Sequence, residues 1–312
     1  MATSATTAFT IATYNVLDLF PPGPEGGAAA HHEKKLETLA AKIASLGADV
    51  LGLEEVGSKA VLEELVRRIP GEPYRVVFGT PDARGIGCAL LSRHPLLASA
   101  VHTTDELPFP VFVEGDPHPF HGRMPLRRGI VQGTIDVPGV GPVDVFVVHF
   151  KSGRPAPKKT PSGEPLDSSD AQSFEAMESA VRSVVMRAAE ALFVRRLVDD
   201  VFRKNPGARI AVLGDFNDVP HSLGVRVVSG RGATELFDAT ASIPHDRRHS
   251  HVHFGQKRAI DHVLVSARLR GSITAARVHN DDLRDHDALR AAGQGPFHDS
   301  DHAPVTVTLQ SS

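Results

Sequence analysis

The sequence predicts a mixed α/β domain whose strands divide between two sheets, and three observations carry that expectation. The first seventy residues alternate strand-like and helix-like periods, and the middle is a series of short apolar runs punctuated by Gly and Pro. A long helical stretch from residue 174 is then followed by further strand-like runs. About a dozen runs read as strands, more than one twisted sheet usually holds, so two sheets are expected. The chain has 312 residues, enough to bury a sizeable core.

Each element has a local cause. "FTIATYNVLDLF" (9–20) is a strand-like run broken by Asn15. In "HHEKKLETLAAKIASLGAD" (31–49), Leu36, Leu39, Ala40, Ile43 and Leu46 recur at helical spacing and Gly47 supplies the stop. "VLGLEEV" (50–56) is a short apolar strand ending in Glu54 and Glu55, and "SKAVLEELVRRI" (58–69) is a helix capped by Ser58 and closed by Pro70. "YRVVFGT", "GCALLSR", "GIVQGTIDV" and "VDVFVVHF" read as strands of an antiparallel sheet. A Pro- and Ser-rich loop spans about 151–173, and a helix runs from Phe174 to Lys204. "ARIAVLGDF", "AIDHVLVSA", "GSITAARVH" and "PVTVTLQ" complete the strands. Residues 1–8 are expected to be flexible and 9–312 to form a single domain, since no repeat or linker interrupts them.

Composition narrows the function classes. A net charge of −3 gives no general basic field for nucleic acid or membrane. No run approaches the ~20 apolar residues of a spanning helix. The start "MATSATTAFTIATYNV" has neither the basic nor the apolar region of a signal peptide. A leader already removed would leave the same picture, so localisation stays open. The single cysteine, Cys88 in "GCALLS", excludes an internal disulfide and reads as a buried structural thiol.

Polar residues fall at the ends of the apolar runs: Asn15, Glu55, His149, Asp215 with Asn217, Asp261, and Asp301 with His302. Strand ends are where side chains from distant segments meet in a cleft. Carboxylates gathered there repel unless a cation neutralises them or some are protonated. Oxygen ligands without cysteine suit a hard cation, Mg²⁺ or Mn²⁺, with Ca²⁺ as a further candidate. Imidazoles beside it suit proton transfer or contact with an anion, which together point to attack of water on a phosphate ester. Taken singly, each residue has a plainer reading. Asn15 and "GDFND" could be turns, the "EEV" acids a helix cap, and His149 a satisfied core histidine.

In order, "TYNVLDLF", "LGLEEV", "LLSRHP", "VVHFKSG", "LGDFND", "AIDHVLVS" and "SDHAPV" resemble the successive motifs of the endonuclease/exonuclease/phosphatase superfamily, over about residues 9–309. The resemblance implies a DNase I-like four-layer sandwich, two packed mixed β-sheets flanked by helices, with a divalent-metal site at the sheet ends. It implies that Glu55, Asn15 and Asp301 serve the metal, with Glu54 standing where the family has glutamine. It implies that Asp215 orients and deprotonates water, that Asn217 binds the scissile phosphate, and that Asp261 orients His302. His149 and Arg128 would face the phosphate or leaving group, with Arg127 a solvated rim residue chosen against by strand alternation. Abasic-site enzymes have an aspartate where this chain has Leu17. Asp18 next door is expected to face away on an extended strand. His298 and Asp299 are expected to be loop residues at the cleft mouth.

Several motifs look most like bacterial, often secreted, nucleases, although "HSHVH" replaces their aromatic "YSY" run, and "AID" differs from the "CDR" of inositol phosphatases. The expected function is therefore a metal-dependent nuclease, acting as a monomer with nucleic acid as substrate. A phosphodiesterase or phosphatase for a smaller ester is the alternative, and an inactive binding protein of the same fold a third reading. The chain has no Trp and two Tyr, so stacking falls to Phe or His. Arg84, Lys151, Arg154, Lys158, Lys159, Arg247, Arg248, Lys257 and Arg258 flank the motifs and could form a local basic rim.

Overall fold

Strand β1 (Ala8–Leu19) begins the computed structural model, which describes residues 8–120, 123–156, 158–160, 162 and 174–310. Residues 1–7 of the expected flexible start, and most of the expected polar loop, lie outside the described residues. After β1 come α1 (Ala28–Leu46), β2 (Val50–Val56), α2 (Lys59–Arg68), β3 (Arg75–Phe78), β4 (Gly87–Ser92) and β5 (Leu96–His102). The second half contains β6 (Ile130–Val137), β7 (Gly141–His149), α3 (Phe174–Lys204), β8 (Ile210–Asp215), α4 (Leu223–Ser229) and β9 (Leu236–Asp238). β10 (His251–His253), β11 (Gln256–Arg258), β12 (Asp261–Ser266), α5 (Ala267–Arg270), β13 (Ile273–Val278), α6 (His286–Ala291) and β14 (Val305–Gln310) complete the chain.

Two six-stranded sheets, ordered β13-β14-β1-β2-β4-β3 and β5-β6-β7-β8-β12-β9, pack face to face, while β10 and β11 form a separate ribbon. Each sheet is mixed. β1 and β2 are parallel around α1, β7 and β8 are parallel around α3, and the other pairings are antiparallel. Parallel neighbours need a crossover, and a helix supplies it in both cases. The expected antiparallel middle sheet is in fact divided: β3 and β4 join the first sheet, β6 and β7 the second.

Three apolar layers hold the four-layer sandwich. Ile11, Val50, Leu90, Val145, Val147, Leu213 and Val263 fill the space between the sheets. Leu36, Leu39, Ile43 and Leu62 of α1 and α2 cover the outer face of the first sheet through Tyr14, Leu51 and Leu53. Val194, Val198 and Phe202 of α3 cover the second sheet through Phe146, Val148 and Val212. Each fully buried Leu, Val or Phe contributes about 1.5–3 kcal/mol. Gly47 stops α1 in the left-handed conformation at φ 58°, and the Ser58 hydroxyl caps α2 by accepting from the Val61 N–H at 3.2 Å.

Near the site the sheets approach so closely that a Cβ on Gly52 would lie 2.2 Å from Leu213 Cδ1. Cys88 sits in the layer between the sheets, where burial pushes its thiol pKa up and keeps it unreactive. Among the described residues no helix is long and apolar enough to cross a membrane. Strand β5 carries no readable alternation because its central side chains are all exposed at a sheet edge.

Candidate active site

Register explains the convergence. β7 pairs with β8 so that His149 lies opposite Asp215, and β8 pairs with β12 so that Asp215 lies opposite Asp261. Residues directly opposite share a face, so the imidazole and two carboxylates stand in one row at one end of the second sheet. At the facing end of the first sheet, Asn15 pairs with Glu54. The next residue, Glu55, has φ 65°, a left-handed turn of the chain that shifts the strand register.

Asn15 bridges the two sheets. Its Nδ2 donates to Glu55 Oε1 at 3.2 Å and to Asp215 Oδ2 at 3.1 Å. His149 Nε2 lies 3.5 Å from Asp215 Oδ2 and 3.8 Å from Glu55 Oε1. Asn217, at φ 52°, forms the turn expected of "GDFND": its N–H donates to Asp215 Oδ1 at 2.7 Å. Its Nδ2 donates to Asp215 Oδ2 at 3.0 Å and to the Phe150 carbonyl at 3.1 Å. His302 Nδ1 meets Asp261 Oδ2 at 2.8 Å, the expected carboxylate–imidazole pair. Ser300 joins the two motif ends, donating to the Asn15 carbonyl at 2.7 Å and accepting from the His302 N–H at 3.0 Å.

Burial drives the charge states apart. It raises Asp215 to about 7, with the Asp261 charge adding to it, and raises Glu55, with Asp18 adding to it. Fully buried Glu54 is pushed well above the carboxylate range by burial, with the Asp261 charge adding to it. His149 is held well below the ordinary imidazole value by burial and by the Arg128 charge. For His302 burial acts downward, but the charge and hydrogen bond of Asp261 outweigh it and hold the imidazolium well above the ordinary value. The two imidazoles are thus shifted in opposite directions on either side of Asp215, His149 lying 3.5 Å from it and His302 within 4.8 Å.

The carboxylates fit a hard cation. Asp215, Asp261 and His302 each bring an atom within 4.8 Å of the others, and with the His302 ring committed to Asp261 the donors that remain are carboxylate oxygens. Asp261 Oδ1 and Asp301 Oδ1 are buried without a hydrogen-bond partner, a costly state that a bound cation would relieve. Of the residues expected to serve a metal, Glu55 and Asn15 touch each other, while Asp301 lies beside His251, 3.8 Å from its Nε2.

Some residues lie elsewhere than expected. Arg128 is 3 % exposed, paired with Asp82 at 3.2 Å, and donates to the carbonyls of His149 and Phe150 at 3.0 and 3.3 Å. Residues 127 and 128 precede β6, so strand alternation does not apply to them, and Arg127 too leans on Asp82, at 3.8 Å. The backbone at Asp18 is not the extended strand that the alternation assumed. Leu17 and Asp18 have φ 51° and 44°, and the bulged strand brings the Asp18 N–H to Glu55 Oε2 at 2.9 Å. Asp299 pairs with Arg284 at 2.9 Å, and His298 packs on His31 with ring centroids 4.6 Å apart, both in the loop before β14. Within the expected basic rim, Lys151 is buried and donates to the carbonyls of Ser152 and Arg154.

Lys35, Ser300 and His251 belong to the site without having been singled out. Lys35 is 7 % exposed, its Nζ donates to the Leu17 carbonyl, and its charge lies among Asp18, Glu55 and Asp301. Its signal was positional: it stands four residues before Leu39, on the buried stripe of α1.

The sequence profile of the Endonuclease/Exonuclease/phosphatase family matches residues 12–302. The chain belongs to that family, whose members named there hydrolyse phosphate esters. Its fold is shared by truncated Caenorhabditis elegans TDP2 (15% identity, TM-score 0.60, 97% of each chain covered). It is shared too by a family protein from Bacteroides thetaiotaomicron (18%, 0.62, 98% of this chain and 96% of that one). A third likeness is a variant of the 3′ phosphatase NExo from Neisseria bound to a product DNA hairpin (19%, 0.55, 96% and 98%). At these identities the likeness is one of fold. No curated protein sequence matches the chain.

Proposed function

We propose that the protein is a divalent-metal-dependent nuclease that hydrolyses phosphodiester bonds of DNA or RNA as a single-domain monomer. The observation that carries this reading is the His302–Asp261 pair, 2.8 Å from Nδ1 to Oδ2, gathered with Asp215 and with His149 3.5 Å from Asp215, the two imidazoles being shifted in opposite directions. Separated protonation states on neighbouring groups are how one site divides acid and base work. A DNA hairpin bound to a protein of the same fold supports nucleic acid as the substrate class.

Glu55, Asn15 and Asp301 would hold Mg²⁺ or Mn²⁺, with Ca²⁺ as a further candidate. The ion would supply charge neutralisation at the phosphate and acidify water. Asp215, raised to about 7 by burial, takes the proton of the attacking water as its oxygen bonds to phosphorus; the bond to the leaving oxygen breaks, and that oxygen takes a proton from solvent water to leave as the alcohol. Asn217 and the His302 imidazolium donate to the phosphate oxygens, and His149 orients the phosphate or the leaving group. Arg128 supports His149 from behind through the His149 carbonyl.

The test is a panel of plasmid DNA, RNA, an aryl phosphodiester and an aryl phosphomonoester, each with Mg²⁺, Mn²⁺, Ca²⁺ or EDTA. Cleavage of nucleic acid that EDTA abolishes is expected. Turnover of only the small esters would move the protein to the alternative reading, and full activity after exhaustive chelation would remove the metal. A pure binding protein would leave every substrate intact.

A further inference from the structure

The ribbon of β10 and β11 stands beside the reaction centre and has no part in the roles above. His251 and His302 form an isolated antiparallel bridge, so the ribbon starts at the catalytic imidazole. From there the rings continue outward. His302 and His251 are 4.8 Å apart between centroids, His251 and His253 6.3 Å with planes only 20° apart, and His253 and Phe254 4.9 Å. His251 and His253 share a face because they are two residues apart on one strand. Across the ribbon Arg258 lies opposite His251 and Gln256 opposite His253, so the same face also carries a cation and an amide.

This ladder is held in place before any ligand arrives. Fully buried Ser250 accepts through its hydroxyl from the N–H groups of Ile260 and Asp261 at 3.2 and 3.1 Å, and its carbonyl accepts from Ala303 N–H at 2.7 Å. At the far end Asp285 accepts from the Gly255 N–H at 2.6 Å, and Asp287 holds His253 Nδ1 at 2.6 Å. The outer rings are nevertheless open: the His253 side chain is 48% exposed and Phe254 59%. Tyr14 and Tyr74 are buried and the chain has no tryptophan, so neither tyrosine can offer a ring face at the cleft mouth.

We infer that the β10–β11 ribbon, through His251, His253 and Phe254, is a stacking subsite for a planar aromatic group on the substrate phosphate, a nucleobase when the substrate is nucleic acid. The inference rests on the phosphodiesterase reading and deepens it. A ring adjoining the scissile phosphate would lie against these rings, which accept any base by its π-face, so the subsite gives affinity with little sequence preference.

Equilibrium binding by calorimetry in Mg²⁺ tests it, with thymidine 5′-monophosphate, 4-nitrophenyl phosphate and 2-deoxyribose 5-phosphate as ligands. The wild type should bind the thymidine nucleotide about tenfold more tightly than the sugar phosphate, within the range of one base–aromatic stack. The H253A/F254A variant should lose that preference, and H253F should keep it, with circular dichroism confirming the fold of each. An equal gain for nitrophenyl phosphate would make the subsite general for planar rings; a gain for the nucleotide alone would make it selective for bases. No binding by any ligand, equal affinities in the wild type, or a preference that survives in H253A/F254A would overturn the inference. Base-dependent binding without cleavage of any nucleic acid would sink the nuclease reading and leave the subsite standing.

Discussion

Replacing Asp261 by asparagine removes the charge behind His302 while keeping a side chain of the same shape. The Asp261 side chain is 1% exposed, that of His302 is 8% exposed, and Oδ2 meets Nδ1 at 2.8 Å. At that separation two unit charges attract by about 6 kcal/mol in an effective dielectric of about 20, before the cost of taking them out of water is set against it. The asparagine carbonyl can still accept the ring N–H, so the tautomer survives and the imidazolium does not. Loss of one positioned proton donor or cation is expected to lower kcat by about 100- to 10,000-fold. The pH dependence follows from the raised His302 value. Stabilisation by the pair is complete below the ordinary imidazole value and is lost as pH rises through the folded one, so activity falls on the alkaline side. In D261N that alkaline limb should move toward acid. The assay is kcat/KM on the best substrate of the panel from about pH 5 to 10, with thermal unfolding over the same range. An unchanged pH profile and rate in D261N would refute the charge pair as the source of His302's role.

Two further substitutions separate support from chemistry. A Cβ on Gly214, at φ 141°, would lie 1.9 Å from the Val148 carbonyl oxygen, and backbone cannot yield as a side chain tip can. G214A is expected to cost about 3 kcal/mol or more in urea denaturation, and an unchanged midpoint would show that β7 and β8 can separate there. R128L leaves Asp82 buried without its main partner and should cost about 3–5 kcal/mol, part of which D82N/R128L recovers. An R128L protein of native stability with only a raised KM would restore Arg128 to direct contact with the phosphate.

Much of this arrangement could be read before any coordinates, because it follows from strand periodicity. Asn15, His149, Asp215 and Asp261 each mark the end of an apolar strand, and pairing of those strands in register sets three of them side by side. Two sheets were legible from the number of strand-like runs, and β8 and β12 are apolar along almost their whole length, as strands covered on both faces must be; the four-layer sandwich itself came from the family resemblance. What escaped were positions where periodicity breaks. Asp18 reaches Glu55 only because two residues before Leu19 adopt left-handed backbone, which nothing in "NVLDL" announces. The choice of Arg128 over Arg127 rested on a two-fold rule that does not apply there, because both residues precede β6. The ribbon of His251 to Arg258 is too short for its alternation to stand out.

The escaped residues share a physical role, which explains why they were hard to see. The strand-end acids meet where burial makes ionisation costly, and the fold must counter that cost from outside the motifs. Lys35 does so from α1: burial pulls its amine below the ordinary lysine value, and the charges of Asp18, Glu55 and Asp301 around it act the other way. Arg128 acts from behind β7, where its charge adds to burial in holding His149 well below the ordinary imidazole value while Asp82 pairs with the guanidinium. His251 does so from the ribbon, its Nε2 lying 3.8 Å from Asp301 Oδ2, where it helps to hold that acid well below the usual carboxylate range against its own burial. Each of these groups comes from a segment with no catalytic motif of its own, and each acts on a motif residue through charge or a hydrogen bond. A motif fixes which groups touch the phosphate; their protonation states are fixed by neighbours that the fold brings from elsewhere, which is why substitutions at Lys35, Arg128 or His251 should alter pH dependence even where the motif itself is intact.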